Sequence, residues 1–135
     1  MPYSRLFYHF VWATKDRRPL ISEANREAIE ATIAAKVIEL GGAVHAIGGT
    51  PDHMHLVASV PPAVSVSSFI GQVKGASSHL ASRLPTSEPI QAFAWQSEYG
   101  VLTVSEAQLP TIKKYVRRQR EHHSEGTLSR RLEIP

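Results

Sequence analysis

The 135-residue chain contains no cysteine, and this absence limits the chemistry available to the protein. Disulfide bridges and thiolate metal sites are excluded, so histidine, carboxylate, amide and water remain as possible metal ligands. The chain also has little excess of positive over negative charge. Its net charge of +3 permits a nucleic-acid partner without requiring one. No apolar run is long enough to cross a membrane, and residues 1–5 lack the features of a secretory signal. We therefore expect a cytoplasmic protein with no membrane partner.

The order of strand and helix patterns predicts the fold class. Runs rich in β-branched and aromatic residues predict strands at residues 6–14, 43–47, 53–60, 93–95 and 99–104. Capped segments with helical periodicity predict helices at residues 23–40, 66–80 and 110–123. We expect an α+β fold in which an antiparallel β-sheet has helices packed on one face, a split β-α-β or ferredoxin-like arrangement. Residues 1–123 would form one domain, and residues 124–135 a C-terminal tail without clear periodicity.

Two histidines, His53 and His55, lie two positions apart in one of the predicted strands. Side chains at this spacing share a strand face, with Cβ atoms about 6–7 Å apart, so both imidazoles could reach one metal ion. The alternative is two polar residues on the solvated face of an antiparallel strand. Asp52 is either a turn residue or a partner of these histidines. His45 and His79 lie outside the motif and are expected at the core edge or the surface.

The last predicted helix carries a tyrosine, an amide and a cluster of positive charge. Tyr115 and Gln119 are four residues apart, so a helix brings them to one face. The basic residues of this helix are Lys113, Lys114, Arg117, Arg118 and Arg120. One interpretation is a solvated basic helix whose tyrosine covers the core. The other is a nucleophilic tyrosine and an amide metal ligand on a helix that follows a phosphate backbone.

Basic residues elsewhere in the chain also have two interpretations. Arg17 and Arg18 belong to a charged loop after the first predicted strand, which is either plain surface or a phosphate-contacting loop. Lys74 lies in a helix rich in glycine and serine, and is either a solvated residue or a contact to a DNA phosphate. Small residues in that helix would allow a close approach, either to the sheet or to a phosphate chain.

Taken in order, these motifs resemble the single-tyrosine transposases of the HUH superfamily. His53-Met54-His55 is similar to the His-hydrophobe-His motif of that superfamily, and Tyr115 with Gln119 is similar to its nucleophile and third metal ligand. The similarity continues through residues 8–19, 51–56, 67–78, 93–95 and 111–115, and so spans residues 3–123. The family comprises the IS200-like transposases of small insertion sequences and the REP-associated tyrosine transposases. The short tail leaves the subgroup and the DNA target open.

The resemblance implies a transposase that cleaves and rejoins single-stranded DNA beside a hairpin, through a 5′-phosphotyrosine at Tyr115. It implies a divalent metal, Mg²⁺ or Mn²⁺, held by His53, His55 and Gln119. DNA contacts are expected at seven basic residues: Arg17, Arg18, Lys74, Lys113, Lys114, Arg117 and Arg118. The resemblance also implies a homodimer, with Tyr115 supplied by either chain. A long aromatic edge strand at residues 6–14, which could pair with a second copy, is consistent with a dimer.

Two rival functions share some of these residues. The histidine-triad hydrolases need three histidines at alternate positions, and Val57 occupies the third position here, so that class is set aside. A non-catalytic hairpin-binding protein, domesticated from a transposase, is the remaining alternative. The presence of His53, His55, Tyr115 and Gln119 argues against it, and a nicking assay on labelled hairpin DNA would separate the two.

Overall fold

The computed structural model of the protein describes residues 3–84 and 92–118. Four strands and three helices occur in these residues. The elements are β1 (Phe7–Ala13), α1 (Arg26–Glu39), β2 (Ala43–Thr50), β3 (His53–Ser59), α2 (Val66–Ser82), β4 (Gly100–Val104) and α3 (Leu109–Arg117). No helix of the described ranges is both long and apolar enough to cross a membrane.

The four strands form one antiparallel sheet in the order β2-β3-β1-β4. The predicted α+β fold is therefore confirmed. The prediction that residues 6–14 form an edge strand is wrong, because β1 pairs with β3 on one side and with β4 on the other. Val11, for example, lies opposite His55 on one side and Gly100 on the other. The aromatic content of β1 reflects a central strand that is buried on both faces.

The main core lies between the sheet and the first two helices. Alternation along β1 and β3 directs Phe10, Trp12, Met54 and Leu56 to this face, where all four side chains are fully buried. Helices α1 and α2 cover them with buried apolar side chains, among them Ile29, Ile33, Val37, Phe69, Ile70 and Val73. These two helices pack on one face of the sheet, as predicted.

Two helix starts follow the predicted capping chemistry. The Ser65 hydroxyl accepts a hydrogen bond from the Ser68 amide at 3.1 Å, one residue before α2 begins. The Ser105 hydroxyl accepts from the Gln108 amide at 3.2 Å, in the helical turn that precedes α3. Ser22, just before the predicted start at residue 23, does not cap α1: its hydroxyl accepts from the Asn25 amide in a turn that precedes the helix.

Three predicted element bounds need correction. The β2–β3 hairpin has a two-residue loop rather than a five-residue loop, because pairing of the two strands continues to Thr50 and His53. Residues 93–95 form a single bridge, between Thr14 and Trp95, instead of a strand. Helix α3 ends at Arg117, whereas the sequence predicted a helix to residue 123. Gln119 and the predicted tail at 124–135 lie outside the described residues.

Helix α3 packs on the other face of the sheet, over β2 and β3, so the prediction that the helices pack on one face holds for α1 and α2 but is wrong for α3. Val116 is fully buried there in a small cluster with Ala46, Val57 and Tyr115. The helix comes so close to the sheet that a Cβ atom at Gly48 would lie 2.3 Å from the Val116 carbonyl oxygen. This second face carries the odd-numbered side chains of β1 and β3, which include His53 and His55.

Candidate active site

The two histidines of the sequence motif lie on the sheet face beneath α3. Their ring centroids are 5.2 Å apart, so the predicted pairing of His53 and His55 on one face is observed. Only 4% of His53 and none of His55 is exposed to solvent. The alternative of two polar side chains on a solvated strand face is therefore wrong. Buried imidazoles need defined hydrogen-bond partners, and each of these rings has one at Nδ1.

The partner of His53 is the neighbouring carboxylate. Nδ1 of His53 donates to Oδ1 of Asp52 at 2.7 Å, and the Thr50 hydroxyl donates to the same oxygen at 3.2 Å. An ionised carboxylate only accepts, so the proton of His53 resides on Nδ1 and the lone pair on Nε2. Partial burial acts to raise the pKa of Asp52, but the hydrogen bond to His53 and the charge of Arg17 outweigh it and lower that pKa. Asp52 is thus a turn residue that also orients a histidine.

The partner of His55 is a third histidine that the sequence motif did not include. Nδ1 of His55 lies 2.8 Å from Nε2 of His9, and the ring centroids are 5.0 Å apart. His9 lies on β1 and is fully buried. The sequence does place a lone polar side chain in the middle of an apolar strand here. Its partner could not be identified, because the contact depends on the β1–β3 register.

Tyr115 lies against His55. Its ring centroid is 6.0 Å from that of His55, with the ring planes at 67°. The tyrosine is 9% exposed and packs with Ala46, Val57 and Val116. The ring thus covers a small core, as one interpretation predicts, and it also contacts His55; the role of Tyr115 as a nucleophile stays a prediction. This contact forms within a single chain.

The donor atoms on this face are consistent with a divalent metal. Nδ1 of His53 and Nδ1 of His55 each contact a protein group. A metal would therefore bind the other ring nitrogen, Nε2, of each histidine. Within residues 3–84 and 92–118 there is no cluster of three or more His, Cys, Asp or Glu side chains that could hold a metal. The predicted set contains two such residues, and its third member, Gln119, is an amide outside the described residues.

The predicted DNA-contacting residues occupy three places in the structure. Lys114 and Arg117 on α3 are exposed, as is Arg118 directly after the helix, and Lys113 is half-buried. Lys114 and Arg117 lie in the last turn of α3, where Tyr115 and Val116 are the buried residues. This arrangement brings positive charge to the layer of the fold that contains the histidines.

Arg17 and Arg18 lie in and after the helical turn Lys15–Arg17, which follows β1. Arg17 lies 3.9 Å from Asp52, so the loop reaches the residue that orients His53. Asp16 and Arg17 have φ values of 55° and 52°, a conformation that non-glycine residues rarely adopt. A cleft of about 590 Å³ separates this turn from residues 94–97.

Lys74 has a structural partner. Its ammonium group donates to the backbone carbonyls of Gln96 and Glu98, at 2.7 and 3.0 Å, and burial lowers its pKa. These bonds tie α2 to the segment before β4, in the layer away from the histidines. The structure does not bring Lys74 to the site. A Cβ atom added at Gly71 or Gly75 in the same helix would have no atom within 4 Å. Neither glycine therefore lies at a close approach of the helix to the sheet.

The chain is similar in sequence to known transposases. Residues 2–119 match the family model described as "Transposase IS200 like". The ISDra2 transposase TnpA of Deinococcus radiodurans is 28% identical over 123 residues, which cover 87% of this chain and 86% of that protein. The transposase for insertion sequence element IS200 of Salmonella typhimurium is 38% identical over 72 residues, which cover 53% of this chain and 47% of that protein.

Solved structures have the same fold. The crystal structure of a candidate transposase from Deinococcus radiodurans R1 superposes with a TM-score of 0.69 at 28% identity, over 88% of this chain and 95% of that chain. A REP-associated tyrosine transposase bound to a REP hairpin superposes with a TM-score of 0.66 at 15% identity, over 91% of this chain and 74% of that chain. The chain therefore belongs to the IS200-like transposase family and is a DNA transposase.

Proposed function

We propose that the protein cleaves and rejoins single-stranded DNA at hairpin-flanked sites through a covalent 5′-phosphotyrosine at Tyr115. The contact between the Tyr115 ring and the buried His55 ring is the observation that carries this proposal. It puts a potential nucleophile beside a potential metal ligand. A structural neighbour is bound to a REP hairpin, which supports a hairpin as the substrate feature that this protein recognises.

The covalent step exchanges one phosphodiester linkage for another. The phenolic oxygen of Tyr115 attacks phosphorus and forms a new P–O bond, while the bond to the 3′-oxygen of the DNA breaks. The phenolic proton leaves the tyrosine, and the released 3′-oxygen takes up a proton to become a hydroxyl. In the reverse direction a 3′-hydroxyl attacks the phosphotyrosine, so the strand is rejoined without ATP.

His53, His55 and Gln119 would hold a divalent metal, Mg²⁺ or Mn²⁺. Such an ion supplies Lewis acidity at the scissile phosphate. The chain contributes the orientation of the ligands: Asp52 holds the ring of His53 through Nδ1, and the hairpin loop fixes Asp52 beside it. Burial of His53 and His55 keeps both rings in place and excludes competing water from the Nδ1 side.

The basic residues would contact the DNA backbone. Lys114 and Arg117 are exposed on the tyrosine helix and Arg118 is exposed directly after it, with the half-buried Lys113 nearby in sequence. Arg17 and Arg18 form a second basic group next to the hairpin loop of His53. Phosphate contacts fix the register of a strand without reading its sequence. A DNA contact by Lys74 stays a prediction. Its ammonium group already donates to two backbone carbonyls, and a phosphate would have to compete with them.

A non-catalytic hairpin-binding protein is the alternative function. The tyrosine is 9% exposed and packs in an apolar cluster, which is the observation that favours this alternative. Such a protein would bind DNA with the same basic surface and form no covalent product. A test of covalent chemistry therefore separates the two functions.

The experiment uses labelled single strands that carry hairpins from the repeats of the source genome. With Mn²⁺, wild-type protein should give a protein–DNA adduct that survives denaturation, and Tyr115→Phe should give none. Tyr99→Phe removes a hydroxyl from a half-buried tyrosine outside the site and is the matched control, which should keep the adduct. His53→Ala should bind the same strands and form no adduct, because one of the proposed metal ligands is lost.

Adduct formation by Tyr115→Phe would show that another residue is the nucleophile. Binding of hairpin DNA by every variant, with no adduct from wild-type protein on any strand of the pool, would favour the non-catalytic alternative. Full metal-dependent cleavage by His53→Ala would remove the metal assignment.

A further inference from the structure

We propose that His9 is a positioning residue, which holds His55 in the tautomer that can bind the metal. The inference rests on the proposed role of His55 as a ligand. His9 would do for His55 what Asp52 does for His53. The observation behind it is the 2.8 Å contact between Nε2 of His9 and Nδ1 of His55.

The contact lies at a rigid position of the fold. His9 is in the middle of β1, opposite Val57 of β3 and Leu102 of β4, so its backbone is paired on both sides. His55 is its diagonal neighbour on β3, within reach of long side chains. Neither ring has any solvent exposure. Water therefore cannot replace either ring as the partner of the other.

Only one arrangement of protons is compatible with metal binding. A neutral imidazole carries a proton on one ring nitrogen and a lone pair on the other. If Nδ1 of His55 donates to Nε2 of His9, the lone pair of His55 lies on Nε2 and can bind a metal. If His9 donates instead, Nε2 of His55 carries the proton and cannot be a ligand. His9 must therefore accept, with its own proton on Nδ1.

The burial of the site accounts for a histidine in place of a carboxylate. Asp52 can be ionised because it lies at a hairpin turn, where its side chain is 37% exposed. At the centre of the sheet an ionised carboxylate would lose its hydration, which strongly disfavours a buried charge. A neutral imidazole accepts the same hydrogen bond without a buried charge. The two positions thus use different acceptors to orient equivalent ligands.

The first test reads the tautomer in metal-free wild-type protein. Protonated and lone-pair nitrogens of imidazole differ widely in their ¹⁵N chemical shifts, so ring-labelled protein above about pH 8, where free imidazoles are neutral, reports each proton directly. We expect His55 protonated on Nδ1 and His9 also protonated on Nδ1. A His55 ring protonated on Nε2 would overturn the inference, whatever the metal affinity.

The second test measures Mn²⁺ affinity in variants by electron paramagnetic resonance of free Mn²⁺. His9→Leu removes the acceptor and should weaken binding about 10- to 100-fold, the usual effect of losing such a partner. His9→Gln offers an amide oxygen near the position of Nε2 and should recover most of that loss. His45→Leu removes a histidine that packs against Phe7 and should keep wild-type affinity. Thermal unfolding of each variant shows whether it is folded.

The outcomes separate this inference from the proposed function. Folded His9→Leu protein with wild-type Mn²⁺ affinity would overturn the role of His9. Equal weakening in His9→Leu and His9→Gln would also overturn it, because a role in packing alone is not rescued by an acceptor. Wild-type Mn²⁺ affinity in His55→Ala would instead overturn the ligand role of His55, and with it the metal part of the proposed function.

Discussion

At the scale of single residues, the histidines of the sheet face differ in what surrounds their rings. His53 contacts a carboxylate, His55 contacts another imidazole, and His45 packs edge-on against Phe7 at a centroid distance of 5.2 Å. His45 is half-buried and lies near two positive charges. Burial, and then the charges of Lys113 and Arg5, lower its pKa below the usual 6.5. This shift makes the stability of the fold depend on pH.

We predict that His45 destabilises the folded protein at mildly acidic pH. In the unfolded chain His45 takes up a proton near pH 6.5, whereas the folded protein takes it up only at lower pH. Its contribution to stability is fully present above the unfolded pKa and is lost as pH falls toward the folded pKa. Urea unfolding at about pH 7.5 and about pH 5.5 should show a smaller loss of unfolding free energy in His45→Gln than in wild type.

The control for this prediction is His79→Gln, which removes an exposed histidine from α2. It should show the wild-type loss of unfolding free energy between the two pH values. Equal losses in His45→Gln and wild type would contradict the prediction.

The sequence was sufficient for some of these residues and not for others. The i, i+2 spacing placed His53 and His55 on one face, because alternation is a local property of a strand. It could not say whether that face was solvated, since burial depends on where α3 packs. The same limit applies to His9 and Asp52: their partners are set by strand register and by the length of the hairpin loop. Gln119 stays a prediction.

At the scale of elements, the site depends on how closely α3 approaches β2. The two elements meet where Gly48 faces the backbone of Val116, with space for a hydrogen atom but not for a methyl group. Tyr115 precedes Val116 in α3, so a displacement of the helix moves the tyrosine ring relative to His55. The close approach is a feature that periodicity could not predict, because a glycine in a strand pattern has several possible causes.

We predict that Gly48→Ala destabilises the protein and weakens catalysis. The added Cβ would lie 2.3 Å from a backbone oxygen, so helix or strand must shift. Overpacking of this kind costs about 1–3 kcal/mol. Urea unfolding should show the loss of stability, and adduct formation at Tyr115 should slow under conditions in which the variant stays folded.

Gly71→Ala is the matched control, because a Cβ at Gly71 meets no atom within 4 Å. Alanine favours a helix over glycine by about 0.5–1 kcal/mol, so this variant should be as stable as wild type or more so. Wild-type stability and adduct rate in Gly48→Ala would show that α3 does not depend on the close approach.

Salt dependence tests the role of α3 in DNA binding. Each phosphate contact on a single strand contributes about −0.7 to the slope of log affinity against log salt. Arg117→Gln should therefore flatten the slope by about 0.7 relative to wild type. Arg83→Gln removes an equal charge from an exposed position at the end of α2 and should keep the wild-type slope. Equal slopes for the two variants would contradict a backbone contact by Arg117.

At the scale of the whole molecule, the order of elements predicted the architecture because each segment carried local signals that agreed with one another. Capped segments with helical periodicity and runs of β-branched and aromatic residues all pointed to the same α+β fold. The position of β1 was mistaken for an edge, since strand order in a sheet is a non-local property. The edges are β2 and β4, and β4 pairs with β1 on one side and with no other strand of the described residues.

The assembly prediction belongs to this scale. We expect a homodimer, from the family resemblance and from the edge of β4 that pairs with no other strand of the described residues, with a mass twice the 14.9 kDa of one chain by light scattering. Exchange of α3 between chains would remake the same contacts of Tyr115 and Val116, so those contacts favour neither arrangement. The segment that joins β4 to α3 favours an unexchanged helix. Exchange would straighten the turn capped by Ser105 in this segment, and loss of a cap costs about 1 kcal/mol.

We therefore predict that Tyr115 acts with His55 of its own chain, and mixed variants test this. A His53→Ala chain retains its tyrosine, and a Tyr115→Phe chain retains its metal ligands. With the tyrosine in its own chain, no mixed dimer contains a complete site, so the mixture should form no adduct. Recovery of adduct formation in the mixture would place the tyrosine in the partner chain. A mass of a single chain at working concentration would contradict the dimer and leave the contact of Tyr115 with His55 as the only arrangement available.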